Sequence, residues 1–348
     1  MTKTDPGNHF EDFRLGQVFD HPTPRTVTVG DVAVYNALYG PRFALFSSDE
    51  FAARCGLPAA PFDPLLVFHM VFGRTVPAIS LNAVANLGYA EGRFLVPVYP
   101  GDTLRSRSEV IGLKENSNGK TGVVYVRTTG ANQRGEDVLS FVRWVMVRKG
   151  DPAAPIAEQA TPEVARAVAA ADLVVPAGLD LSGYDYGLAG APFAFEDYAV
   201  GERIDHVDGM AVEEAEHQMA TRLYQNTAKV HFNQFERAQD PSGRRLVYGG
   251  VVISTAKALT FNGLQNAGLI LALNAGRHVN PFFAGGTVFA WSEVLDTADL
   301  GSVGALRLRL VATKDRPCTD FPDVAADGKF PAEVILDLDY WAAVPKRD

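Results

Sequence analysis

The chain has 348 residues, 47% of them hydrophobic and 21% charged, enough to bury a sizeable core and to form more than one globular domain. A formal net charge of −9 argues against broad binding to nucleic acid or to an anionic membrane surface, since both need clustered basic charge. Cys55 and Cys318 match no metal-binding spacing and read as reduced thiols of a cytoplasmic protein. No run reaches the ~18 apolar residues of a membrane span, and the opening residues lack the apolar stretch of a secretory signal.

In chain order, a strand-like stretch at 17–19 leads into a helical pattern over 28–39. A strongly apolar segment at 64–76 follows and reads as a buried helix, because it lacks strict alternation. Strand-like runs occupy 103–110, 121–128 and 138–148. A Pro- and Ala-rich linker then covers 150–192, in which Thr161-Pro162-Glu163 has the form of an N-cap followed by a first-turn proline and predicts a short helix through Ala171. After the linker the same order returns: a strand-like stretch at 203–204, a helix over 213–224 and a buried apolar helix over 249–264. Strands at 287–295, 305–311 and 332–342 follow. One long helix followed by several antiparallel strands predicts an α+β layer, a sheet wrapped around a helix.

The return is literal. Phe10-Glu11-Asp12-Phe13 reappears as Phe195-Glu196-Asp197-Tyr198, His21 as His206 and Leu38-Tyr39 as Leu223-Tyr224. Such a period is too long for a solenoid unit and indicates two fused copies of one domain. The boundaries are an N-terminal copy at 1–150, a linker at 151–191 and a C-terminal copy at 192–348. Features held by both copies, such as the tyrosine pair, His21 with His206 and Glu109 with Glu293, read as structural.

Just after the matched tyrosine the copies part. The second reads Gln225-Asn226-Thr227-Ala228-Lys229-Val230-His231; the first has Pro41 opposite Asn226 and Phe46 opposite His231. Tyr248-Gly249-Gly250 opens the second apolar helix where the first has Asp63-Pro64-Leu65. A histidine suits proton transfer near neutrality. Glycines at a helix start let a carbonyl oxygen approach backbone N–H donors, whereas Pro64 has no N–H to give. The other histidines look structural: His69 as a packed core residue and His217 on a helix surface.

These residues resemble the motif Tyr-x-Gly-Asp-x-Asn-Pro-Leu-His of the MaoC-like family of (R)-specific enoyl-CoA hydratases. The form found here is most similar to the family's mesaconyl-CoA hydratase branch. The resemblance implies a tandem (double) hotdog fold and reversible hydration of a short, branched, dicarboxylic enoyl-CoA. His231 would be the base, Asn226 would stand where the family has Asp, and Gly249 would supply the oxyanion hole. The substrate-binding candidates are Lys229, Gly250, Tyr248, Arg222 and Arg42, with Arg237 a further rival for the substrate's carboxylate. Lys229 reads equally as a solvated loop lysine. Arg244, Arg245, Lys314 and Arg316 are candidates for the CoA phosphates or, alternatively, solvated charge clusters. The N-terminal copy would shape the acyl pocket. The resemblance implies no metal and no separate cofactor, CoA being part of the substrate, and a homodimer stays open. Two other readings are a hotdog acyl-CoA thioesterase and a non-catalytic acyl-CoA-binding module.

Overall fold

The structure is a computed structural model that describes residues 3–156 and 158–347. The N-terminal copy runs β1 (Val18–Thr26), α1 (Val29–Tyr39), α2 (Ala44–Ser47), α3 (Asp49–Arg54), α4 (Pro64–Ile79), β2 (Ala83–Phe94), β3 (Thr103–Glu115), β4 (Thr121–Ala131) and β5 (Asp137–Arg148). After the connecting segment, with α5 (Tyr186–Ala189), come β6 (Arg203–Ala211), α6 (Glu214–Leu223), α7 (Lys229–Phe232), α8 (Gln234–Arg237), α9 (Gly249–Leu259), α10 (Phe261–Leu264), β7 (Ile270–His278), β8 (Thr287–Asp299), β9 (Gly304–Lys314) and β10 (Val334–Val344). All ten strands form one antiparallel sheet in the order β1-β3-β4-β5-β2-β7-β10-β9-β8-β6. This is the tandem hotdog, with the copies joined where β2 pairs with β7.

The central helices α4 and α9 are apolar nearly all round because the sheet wraps them. Leu65, Leu66, Phe68 and Val71 of α4 and Ile253 and Ala256 of α9 fall in the same core. Fully burying a large apolar side chain contributes roughly 1.5–3 kcal/mol, so these two helices hold the molecule together. Pro22 and Pro24 are tolerated in β1 because it is an edge strand. His21 Nε2 meets Ser108 Oγ at 2.8 Å and His206 Nε2 meets Ser292 Oγ at 2.8 Å. The repeated histidines thus make the same strand-to-strand bond in each copy.

The structure departs from the sequence reading in four places. No α-helix forms over 161–171. Ala160 instead exchanges both backbone bonds with Leu113, and the Val168 N–H is held by Asn274 Oδ1. These tertiary bonds keep the segment extended, with only a 3-10 turn at Ala170–Asp172. The α9 helix stops at Leu259, since Asn262 and Gly263, at φ +105°, leave helical geometry. Strands β2 and β7 carry no alternation to reveal them: β7 is buried on both faces over its first five residues. His217 does not lie on the helix surface. It is fully buried, and its Nε2 accepts the Tyr248 N–H at 3.1 Å.

Candidate active site

The site begins where α6 ends. Gln225 takes φ +54°, which turns the chain so that the Asn226 N–H bonds to the Thr221 carbonyl at 2.9 Å. Asn226 is 1% exposed, and its Oδ1 accepts the Ala228 N–H at 3.0 Å. That bond assigns the amide orientation and leaves Nδ2 as the donor available to a ligand. The turn launches α7, which carries His231.

His231 Nδ1 lies 2.8 Å from the Leu246 carbonyl oxygen. A carbonyl can only accept, so Nδ1 holds the proton and Nε2 presents a lone pair. Burial pushes the His231 pKa down to about 4; the Leu246 bond opposes the shift and the nearby Arg237 charge adds to it. The imidazole is therefore neutral near pH 7, as a base must be. The tilted ring of Tyr248 lies 5.4 Å from it, centroid to centroid.

Tyr248 caps α9 without a side-chain hydrogen bond, and Gly249 and Gly250 form the first turn. Their N–H groups precede any intrahelical acceptor. A Cβ on Gly249 would fall 2.2 Å from His278 Nε2, and one on Gly250 would fall 2.3 Å from the Tyr248 ring. Only glycine keeps both contacts and an open approach to the helix start, where the dipole favours a developing oxyanion.

Asn226, His231, Tyr248 and Gly249 line one cavity of about 470 Å³, together with Lys229, Phe72, Tyr89, Arg143 and His278, while Gly250 is buried behind its wall. The N-terminal copy thus supplies a wall. Tyr89 Oη is 3.4 Å from His278 Nε2. Lys229 is exposed at the rim. Arg237 also lines the cavity but is paired with Asp240.

Several residues singled out from the sequence lie elsewhere. Arg42 stacks over Phe261 at 4.3 Å, and Arg222 is exposed; neither lines the cavity. Arg245 pairs with Glu214 at 2.6 Å and Arg316 with Asp320 at 2.7 Å. Arg244 bonds to the Ala284 carbonyl. Lys314 Nζ donates to the carbonyl of Pro281 at 3.0 Å, and Pro281 itself borders the cavity. Arg143 and His278 were not singled out. His278 had no signal, because β7 was invisible. Arg143 had one: it stands third among Leu139, Phe141, Arg143, Val145 and Val147, an otherwise apolar inward face of β5.

The matching place in the first copy is filled. Pro41, Phe46 and Asp63 border a hollow of only about 10 Å³, room for one water at most. Asp63 Oδ1 accepts the Leu65 N–H at 2.8 Å, so a side chain occupies the helix start that Gly249 leaves open.

Comparison with known proteins gives the family and the fold. A family model described as mesaconyl-CoA hydratase matches residues 1–317. The chain is 65% identical to a mesaconyl-CoA hydratase of Cereibacter sphaeroides over 99% of this chain and 100% of that protein. It is 58% identical to a β-methylmalyl-CoA dehydratase of Chloroflexus aurantiacus over 99% of both chains. A crystal structure of a MaoC domain protein dehydratase from Chloroflexus aurantiacus superposes with a TM-score of 0.98 at 57% identity, covering all of both chains. A Mycobacterium tuberculosis protein described as a double hotdog fold superposes at 0.76 with 27% identity, over 97% of this chain and 98% of that one. The chain belongs to the mesaconyl-CoA hydratase family and is a hydratase/dehydratase, a lyase of the MaoC-like, double-hotdog type.

Proposed function

We propose that the protein reversibly hydrates mesaconyl-CoA to β-methylmalyl-CoA, with all the catalytic groups in the C-terminal copy. The observation that carries this reading is a neutral His231, its Nε2 lone pair free, sharing one cavity with the uncapped glycine start of α9. His231 Nε2 takes a proton from water while the water oxygen bonds to C3 of the enoyl thioester. The π-electron pair moves to the thioester oxygen as an enolate, which the Gly249 and Gly250 N–H groups receive. The imidazolium then gives its proton to C2, so one water is added and the base is restored. Asn226 cannot ionise, and so orients the water through Nδ2 rather than deprotonating it. The strong similarity to a mesaconyl-CoA hydratase and a β-methylmalyl-CoA dehydratase supports the substrate. The CoA phosphates meet the exposed cations of the cavity, Lys229 and Arg148.

The test is to incubate the purified protein with mesaconyl-CoA and follow both the conjugated enoyl-thioester absorbance and free thiol. Loss of absorbance without thiol release is expected. Thiol release would identify a thioesterase, and no change in either signal a binding module.

A further inference from the structure

Arg143 is the one cation of this cavity wall that is completely buried, and it has no acidic partner among the described residues. The other cations lining the cavity are Arg148 and Lys229, both exposed, and Arg237, which is paired with Asp240. Arg143 lies in β5 with its guanidinium 4.2 Å over the Phe72 ring. One terminal nitrogen donates to Thr75 Oγ1 at 2.8 Å, and the Ser80 hydroxyl lies at 3.4 Å. These are neutral partners, and they leave Nε–H unsatisfied. A buried guanidinium without a counter-charge is costly to keep, so it calls for an anion that arrives with the substrate.

The surroundings fit an anion with two oxygens. Across the β2–β5 ladder, Tyr89 stands opposite Arg143 and Asn86 opposite Val145. Both amide atoms of Asn86 are also buried without a partner, and Asn86 lines the cavity with Tyr248, whose hydroxyl lies beside the Asn226 amide. The site is also close to the reacting centre. Gly73, next to Phe72 on α4, packs so tightly on the Asn226 turn that a Cβ there would lie 1.8 Å from the Tyr224 carbonyl oxygen and 3.4 Å from the Asn226 nitrogen. The turn of α4 that carries Phe72 and Thr75 therefore joins Arg143 to the water-orienting residue.

We infer that Arg143, supplied by the catalytically degenerate copy, is the receptor for the free carboxylate of the acyl group, with Asn86 and the Tyr248 hydroxyl completing the cradle. This rests on the hydratase reading above and names the subsite that makes the enzyme select a diacid. In mesaconyl-CoA the free carboxylate is bonded to C3, the carbon that receives the water. A carboxylate held at Arg143 thereby places C3 beside Asn226 and His231. The guanidinium fork suits a planar carboxylate better than the rim ammonium of Lys229 does.

The experiment compares mesaconyl-CoA with tigloyl-CoA, which has a methyl group in place of the carboxylate, on the wild-type enzyme and on Arg143→Met and Arg143→Lys. Arg143→Met should lower kcat/KM for mesaconyl-CoA at least thirtyfold more than for tigloyl-CoA, chiefly through KM, and Arg143→Lys should restore part of that difference. Free mesaconate should raise the melting temperature of the wild-type protein and have no such effect on Arg143→Met. This second readout needs no turnover, and Arg143→Gln, which also removes the charge, serves for it if the Met variant does not fold. Equal losses on both thioesters, or full mesaconate protection retained in a folded variant that lacks the charge, would overturn the assignment and leave Arg143 a residue of the fold. Failure of the wild-type protein to hydrate mesaconyl-CoA would overturn the hydratase reading itself, an outcome distinct from an Arg143 variant that keeps the wild-type preference.

Discussion

At the scale of single residues, the protonation state of His231 organises the site. The Leu246 carbonyl fixes its tautomer, and burial lowers its pKa to about 4, so the base form persists well into acid. As the proposed base, His231 acts when deprotonated, so activity is present above the lowered pKa and lost as pH falls through it. We expect kcat/KM, which reports the groups of the free enzyme, to stay level from pH 8 to about pH 5.5 and to fall only as pH approaches 4. A limb centred at the ordinary imidazole value near 6.5 in a pH series of initial rates would contradict this environment. His231, Asn226 and Gly249 were legible in the sequence because a repeated chain supplies its own control: each replaces an inert residue at a matched place. Arg143 was legible in a weaker form, as the one charge on an apolar strand face. His278 was not, since its place beside Gly249 exists only after β7 has folded against α9.

At the scale of elements, α4 of the N-terminal copy supports the turn that carries Asn226 in the other copy. Gly73 lets α4 lie directly on the Tyr224–Asn226 backbone. Gly73→Ala would drive a Cβ into a carbonyl oxygen that cannot rotate away, so we expect a loss of about 1–3 kcal/mol of stability, the usual cost of overpacking. Turnover should fall with it, because Asn226 moves. Denaturant unfolding and steady-state rates on the variant check both, and a variant as stable and active as the parent would refute the contact. Glycine also explains why β2 escaped notice. Gly88 lies against Trp144 and Gly92 against Leu273, each too close for a Cβ; both depress strand propensity while the packing requires them. The linker failed in the opposite sense, its good local helix signal at Thr161-Pro162-Glu163 losing to sheet contacts at Leu113 and Asn274.

At the scale of the whole molecule, the proposed function divides two tasks between the duplicated copies. The copies remain alike where they hold the fold together: the hydroxyls of Tyr39 and Tyr224 bond to each other at 2.9 Å, joining matched residues of the two halves. They differ at the cavity. The first copy has closed its own site with Phe46 and Asp63 and lends Phe72, Tyr89 and Arg143 to the cavity of the second. The central claim is one catalytic centre, in the second copy, built on His231. Its most direct test is the rate of mesaconyl-CoA hydration by His231→Ala, measured beside a thermal melt of the same sample. The account predicts a fall of about 10²–10⁴, the range of general acid–base contributions, with the melt little changed. Near-normal turnover in a folded His231→Ala enzyme would contradict it.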